Sequence, residues 1–138
     1  MVIGQKSLKK IPWLLFQVES AIGCNFKCVM CPWRDMANKV VIRGIMTQAV
    51  WQAIRPYLDR VQSVDFTGGG EPLLQPKLAE WIADATKAGC ETGFLSNGLL
   101  LKEDKLKKIL DAGIKWICIS MDGATAEMYN EIRVGSNF

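Results

Sequence analysis

The 138-residue sequence contains no histidine, and that absence removes a large share of enzymology. Ser-His-Asp and Cys-His nucleophile pairs, imidazole general bases and every His-containing zinc site are excluded. A strong charge of one sign is also missing. Seventeen Lys and Arg against fourteen Asp and Glu leave +3, spread along the chain, so neither nucleic acid nor an acidic membrane surface is expected as a partner. No apolar run approaches the roughly eighteen residues needed to span a bilayer. The N-terminal stretch before Glu19 carries Lys ahead of apolar residues, but its apolar part is short and no small-residue cleavage pattern follows. A cytoplasmic chain with a mature start is expected. Fixed-period repeats and Ser/Pro-rich linkers are lacking as well, so residues 1–138 read as one unit.

What is present is 49% hydrophobic and 22% charged, an ordinary folded composition, with five cysteines. The number is odd, and Cys24, Cys28 and Cys31 crowd together, which is unlike a secreted disulfide framework and fits a reducing compartment.

Short β-rich runs alternate with helical patterns four times. Trp13 to Glu19 is the first run, followed by the cysteine loop and a helix that Thr47 can cap, with Val50, Trp51, Ile54 and Leu58 as its apolar face. Ser63 to Thr67 leads into Gly68 to Gly70 and a helix from about Pro76 to Ala88, ended by Gly89, whose buried stripe is Leu78, Trp81, Ile82 and Ala85. Glu91 to Ser96 leads to Asn97-Gly98 and a helix from about Lys102 to Ala112, stopped by Gly113. Its charged stretch Lys102 to Lys108 faces solvent, and Leu106, Ile109 and Leu110 turn inward. Lys115 to Ser120 leads to Asp122-Gly123 and a helix from Thr125 to Ile132 with Met128, Tyr129 and Ile132 on one face.

Alternation of this kind predicts an α/β fold with parallel strands, right-handed crossovers and ligand sites at the carboxyl ends of the strands. Each unusual cluster falls at such an end: Cys24 to Cys31, Gly68 to Glu71, Ser96 to Gly98 and Ser120 to Gly123. The sequence stops after a helix and before any fifth strand, which leaves a sheet edge unpaired and predicts self-association. The expectation is the N-terminal part of a larger barrel, an incomplete one over residues 1–138.

Cys24-Asn25-Phe26-Lys27-Cys28-Val29-Met30-Cys31 is C-x3-C-x2-C, three soft ligands suited to an iron-sulfur cluster or to zinc. A closed site needs a fourth ligand, and neither Cys90, near the start of the third strand at the opposite rim, nor Cys118, inside the fourth, should reach the loop. A cluster with one open iron is the better fit. By period two, Cys118 shares a strand face with Trp116 and Ser120 and reads as a small core residue.

The cysteine spacing, together with Gly69-Gly70-Glu71-Pro72, resembles the radical S-adenosylmethionine (radical SAM) superfamily, whose hallmark is CxxxCxxC after the first strand of a partial (β/α)6 TIM-type barrel and whose second motif is GGEP. The likeness spans nearly the whole chain and is nearest to the members that carry C-terminal auxiliary-cluster domains, such as peptide-modifying maturases and molybdopterin-pathway enzymes. It implies about four βα units of that core. It also implies that Cys24, Cys28 and Cys31 each hold one iron of a 4Fe-4S cluster while SAM chelates the fourth. Reductive cleavage of SAM then gives a 5'-deoxyadenosyl radical that abstracts hydrogen from a peptide or small-molecule substrate, and the cofactor carries the hard chemistry. A reducing partner such as flavodoxin or ferredoxin is implied with it.

By the same resemblance, Gly68, Gly69 and Gly70 form the strip that binds the methionine amino group, where glycine lets backbone come close to a ligand, Glu71 offers a carboxylate near that ammonium, and Pro72 completes the cofactor-binding GGEP segment; the alternative is a tight strand-to-helix turn with a solvated Glu. Ser120 and Asp122 fall where the family contacts the SAM ribose. Arg133 sits in an Ile-Arg stretch similar to one that approaches SAM, or else is a solvated helix-end cation. Met30 either touches the adenine softly or simply packs. Ser96 and Asn97 are weaker candidates beside an αL turn at Asn97-Gly98. Trp33 and Arg34 either shield the cluster or pack on the rim. The alternatives to an active core are a cluster-binding electron-transfer module, an inactive or truncated structural fragment, or a zinc-binding module.

Overall fold

The computed structural model describes residues 13–34 and 44–137. Four parallel strands form one open sheet in the order β1-β2-β3-β4, with β1 at Trp13–Gln17, β2 at Val61–Asp65, β3 at Glu91–Ser96 and β4 at Trp116–Ile119. Each neighbouring pair is parallel and follows chain order, as βα units linked by crossovers require. Among the described residues the α-helices that accompany the strands include α1 Gln48–Ile54, α2 Leu78–Lys87, α3 Glu103–Asp111 and α4 Ala126–Ile132. Among the described residues no helix is long and apolar enough to cross a membrane.

Local chemistry places the helix ends where the residues require. Thr47 and Thr125 cap α1 and α4, their side chains accepting from the N–H of Val50 and Met128. Gly89 and Gly113 end α2 and α3 at φ +96° and +85°, a region where side-chain-bearing residues are strained. The core lies where the sheet meets α1 and α2, with Trp51, Phe66, Trp81, Ile82 and Phe94 fully buried. Trp51 and Trp81 stack at 5.2 Å, and their indole N–H groups donate to Asp84 and Gln48 at 2.9 Å each, so both polar edges are satisfied.

Leu78, Trp81, Ile82 and Ala85 form the buried stripe that periodicity predicts. Elsewhere the stripes are narrower than predicted. Val50 is exposed, the helix burying Trp51 alone, and beyond it a 3₁₀ turn at Arg55–Arg60 keeps Leu58 buried. Leu110 and Met128 are exposed too, since the short helices α3 and α4 each bury a single residue, Ile109 and Tyr129.

Cys118 is exposed rather than a core residue. Its register partner Leu95 is exposed as well, because both face the concave side of a sheet that does not close. On that side the Trp116 indole lies against Gly93, in space that a Cβ would occupy. Cys90 is buried at the opposite rim, its thiol donating to the carbonyls of Leu58 and Val61 at 3.2 and 3.5 Å. Burial pushes that thiol's pKa up.

Candidate functional site

The loop after β1 carries Cys24, Cys28 and Cys31 and is held from both sides. On the β2 side, the glycine strip presses against it: the Glu71 N–H donates to the Gly23 carbonyl at 2.9 Å, and a Cβ on Gly70 would collide with the carbonyl oxygens of Ala21 and Gly23. On the α4 side, Lys27 and Val29 donate their N–H groups to the carbonyls of Val134 and Ile132 at 2.7 and 2.9 Å. Gly135, at φ +97°, turns the chain there beside Asn25 and Phe26. The loop is thereby pinned to residues that lie about 48 and 105 positions later in the chain, and its path is a product of the tertiary fold.

The glycine strip is occupied by the protein itself. A Cβ on Gly69 would overlap the Trp33 indole, so Trp33 packs on the strip. The Gly69 N–H donates to the Glu19 carboxylate at 2.6 Å. The strip therefore admits close approach as glycine should, and the groups that use it here are Trp33, Glu19 and the cysteine-loop backbone.

Glu71 differs from the sequence expectation of a carboxylate held out to an ammonium. It is 2% exposed, and it accepts from the Leu73 N–H at 3.0 Å, the Ser96 hydroxyl at 2.7 Å and the Asn97 N–H at 2.9 Å. Its carboxylate fastens the end of β2 to the end of β3, and Pro72 behind it starts a 3₁₀ turn over Pro72–Leu74. Asn97, so placed, directs its amide N–H to Cys24 Sγ at 3.8 Å and to Asn25 Oδ1 at 2.9 Å. Gly98 supplies the turn at φ +80°.

Arg133 is no solvated helix-end cation. Its side chain is 12% exposed, ion-paired with Asp122 and in contact through its guanidinium with Cys28 Sγ at 3.9 Å. Asp122 thus faces Arg133. Ser120 continues the sheet, its N–H donating to the Ser96 carbonyl at 2.8 Å. Met30 is exposed at the tip of the cysteine loop. Beside Asn97 a cleft of about 270 Å³ opens among Phe26, Gly98, Leu99, Ile119 and Met121. Larger clefts of about 410 and 440 Å³ lie on the helical side between α2 and α3, and along β1, away from the cysteines.

Cys24 is exposed, Cys31 half-buried and Cys28 buried. Partial burial raises the pKa of Cys24, and its neighbours Glu71 and Cys28 add to that rise, while the Phe26 N–H at 3.4 Å opposes it. Burial also raises Cys28, against the opposing pull of the Arg133 cation. Among the described residues no three His, Cys, Asp or Glu side chains gather around one point as a single metal ion would need. Three thiols on one loop are soft donors of the kind that iron-sulfur clusters and zinc take. Two buried donors border the loop without a partner among the described residues, Arg133 Nε and Asn25 Nδ2. Buried donors normally find acceptors, so the site suits a ligand rich in acceptor atoms.

Sequence reasoning passed over Glu19, Asn25 and Phe26, and left the role of Trp33 undecided. Glu19 and Asn25 had a visible signal, each being a polar residue at the mouth of the first strand and its loop; the reach of Trp33 to Gly69 had none.

The family model of the radical SAM superfamily matches residues 18–138. The chain belongs to the radical SAM superfamily. Among similar proteins, the AdoMet-dependent heme synthase of Methanosarcina barkeri is 32% identical over 119 residues, covering 83% of this chain and 33% of that protein. A probable GTP 3',8-cyclase of Methanococcus maripaludis is 28% identical, with 88% of this chain and 41% of that protein covered. The structure of BtrN in complex with AdoMet and 2-DOIA superposes at a TM-score of 0.67 with 25% identity, over 83% of this chain and 47% of that one. SuiB of Streptococcus suis bound to S-adenosylmethionine shares the fold at a TM-score of 0.66 with 19% identity, over 87% of this chain and 28% of that one. The chain spans about a third of the length of the curated relatives it matches.

Proposed function

We propose that this chain supplies the first four βα units of a radical SAM catalytic core and binds both a 4Fe-4S cluster and SAM, for hydrogen abstraction from a peptide or small-molecule substrate. The observation that carries the reading is the clamped cysteine loop, with three thiols on a path held by the Gly70–Glu71 strip and by the end of α4. Held by Cys24, Cys28 and Cys31, such a cluster would supply the electron for reductive cleavage of SAM.

In this proposal Cys24, Cys28 and Cys31 hold the metal group. Gly69 and Gly70 keep a side-chain-free strip beside it, which a methionine amino group reaches once Trp33 yields. Glu71 positions Asn97 and the strip rather than touching SAM. Ser120, Asp122 and Arg133 lie on the β4 side, where ribose and carboxylate contacts are expected. Phe26, Ile119 and Met121, with Asn97, line the cleft suited to a nucleobase edge, while Met30 at the exposed tip is left for packing against ligand or partner. Names among the relatives, a mycofactocin maturase and a PqqA peptide cyclase beside the heme synthase, support a peptide or small-molecule substrate class. A low-potential protein donor such as flavodoxin or ferredoxin would deliver the electron, and the β4 edge, unpaired among the described residues, would take further strands or a second copy.

Anaerobic iron-sulfur reconstitution followed by electron paramagnetic resonance of the dithionite-reduced protein, with and without SAM, tests the reading. A cluster signal that shifts on adding SAM is expected. A cluster indifferent to SAM would replace it with an electron-transfer role, and zinc uptake without iron would replace it with a structural one.

A further inference from the structure

Two of the three cysteine sulfurs are met by side-chain donors from distant parts of the chain. The Asn97 amide reaches Cys24 Sγ at 3.8 Å and the Arg133 guanidinium reaches Cys28 Sγ at 3.9 Å. Neither donor is there by accident of a mobile side chain. Asn97 is 8% exposed, and its backbone N–H is bound to the buried Glu71 carboxylate. Arg133 is 12% exposed at its side chain and is ion-paired with Asp122, which is three times as exposed at 36%.

We propose that Asn97 and the Asp122–Arg133 pair set the reduction potential of the metal group held by Cys24 and Cys28, Asn97 and Arg133 raising it and Asp122 lowering it. The inference rests on the cluster-binding reading above. Its physics is charge. One-electron reduction places an additional negative charge on the sulfurs and metals, and hydrogen bonds to those sulfurs and net nearby charge are the protein's means of stabilising it. A guanidinium stays charged at any working pH, and close to a buried sulfur its field is weakly screened. The Asp122 carboxylate opposes that field, so it tempers the effect of Arg133. Asn97 supplies an uncharged donor of smaller effect. The three residues are positioning and tuning groups for an electron-accepting site, a role separate from any contact they make with SAM.

The test is a redox titration of the reconstituted full chain without SAM, followed by electron paramagnetic resonance. Asn97→Ala and Arg133→Met are expected to move the midpoint to more negative potential, Arg133→Met the further of the two. Asp122→Asn is expected to move it the opposite way, and Arg133→Lys to recover part of the Arg133→Met shift. The displacement at Arg133 should persist in raised salt. Opposite signs at Arg133 and Asp122 separate tuning from damage to the fold, which would move both in the same direction or lower cluster content. Should Arg133→Met not take up iron, Arg133→Lys and Asp122→Asn decide by themselves. A loaded wild type whose variants titrate at the wild-type midpoint would overturn this inference and leave the cluster site standing. A wild-type chain that takes up no iron would overturn both.

Discussion

Replacing Glu71 by alanine removes the acceptor for three donors at once, the Leu73 and Asn97 N–H groups and the Ser96 hydroxyl, at 3.0, 2.9 and 2.7 Å in a site only 2% exposed. Each buried donor left without a partner costs about 1–3 kcal/mol. The three are not independent, and the space vacated by the carboxylate admits water that can serve one or two of them. A net loss of about 3–5 kcal/mol follows, a large part of the ~5–15 kcal/mol that holds an ordinary domain together. At roughly 3–5 °C per kcal/mol for a chain of this size, the melting temperature should fall by about 10–20 °C. Glu71→Gln keeps one acceptor oxygen but turns an NH2 group toward a donor, so it should cost about half as much. Urea unfolding followed by circular dichroism measures both variants. Hydrogen exchange supplies a local readout, since the Leu73 and Asn97 amides should lose protection before the core strands do. An alanine variant within about 1 kcal/mol of wild type, with those two amides still protected, would refute the assignment and return Glu71 to the role of a free carboxylate awaiting a ligand.

Other positions follow from the same geometry. Gly70→Ala drives a Cβ into the carbonyls of Ala21 and Gly23, so it should cost about 1–3 kcal/mol and cut iron uptake, read by denaturation and iron analysis. Unchanged uptake would contradict the clamp. Gly69→Ala collides with the Trp33 indole, and Trp33→Ala should rescue most of that loss; a double-mutant cycle with no coupling would show that the two do not meet in solution. Burial raises the Cys90 pKa, so its contribution to stability is complete below the unfolded thiol's value of roughly 8.5 and is lost as pH climbs toward the higher folded value. Stability of the metal-free chain should therefore decline above about pH 8.5, less steeply in Cys90→Ala, and equal slopes would exclude Cys90 as the source.

Much of the fold was legible because its signals are local. The α2 stripe of Leu78, Trp81, Ile82 and Ala85 and the glycines after α2 and α3 are set by helical periodicity and backbone sterics, which act over a few residues. The strand bounds of β3 agree for the same reason. Val50, Leu110 and Met128 were misread because a periodic pattern says which residues share a face and not how wide a contact the neighbours offer. Cys118 was misread because burial on the concave side depends on closure of the sheet, a property of the assembly and not of the strand.

The site divides along the same line. Chemical identity was set by the chain itself: C-x3-C-x2-C, GGEP and the polar residues at strand ends state which atoms are available and at which rim, because parallel βα topology brings every strand's carboxyl end to one side. Partnership was decided by the tertiary structure alone. That Glu71 faces inward to Ser96 and Asn97, that Trp33 lies on Gly69, and that Arg133 joins Asp122 to Cys28 are contacts between residues 25 to 105 positions apart or across adjoining loops. Hydrogen bonds and ion pairs depend on distances of a fraction of an ångström, and those are fixed only when all four strands and their loops are in place.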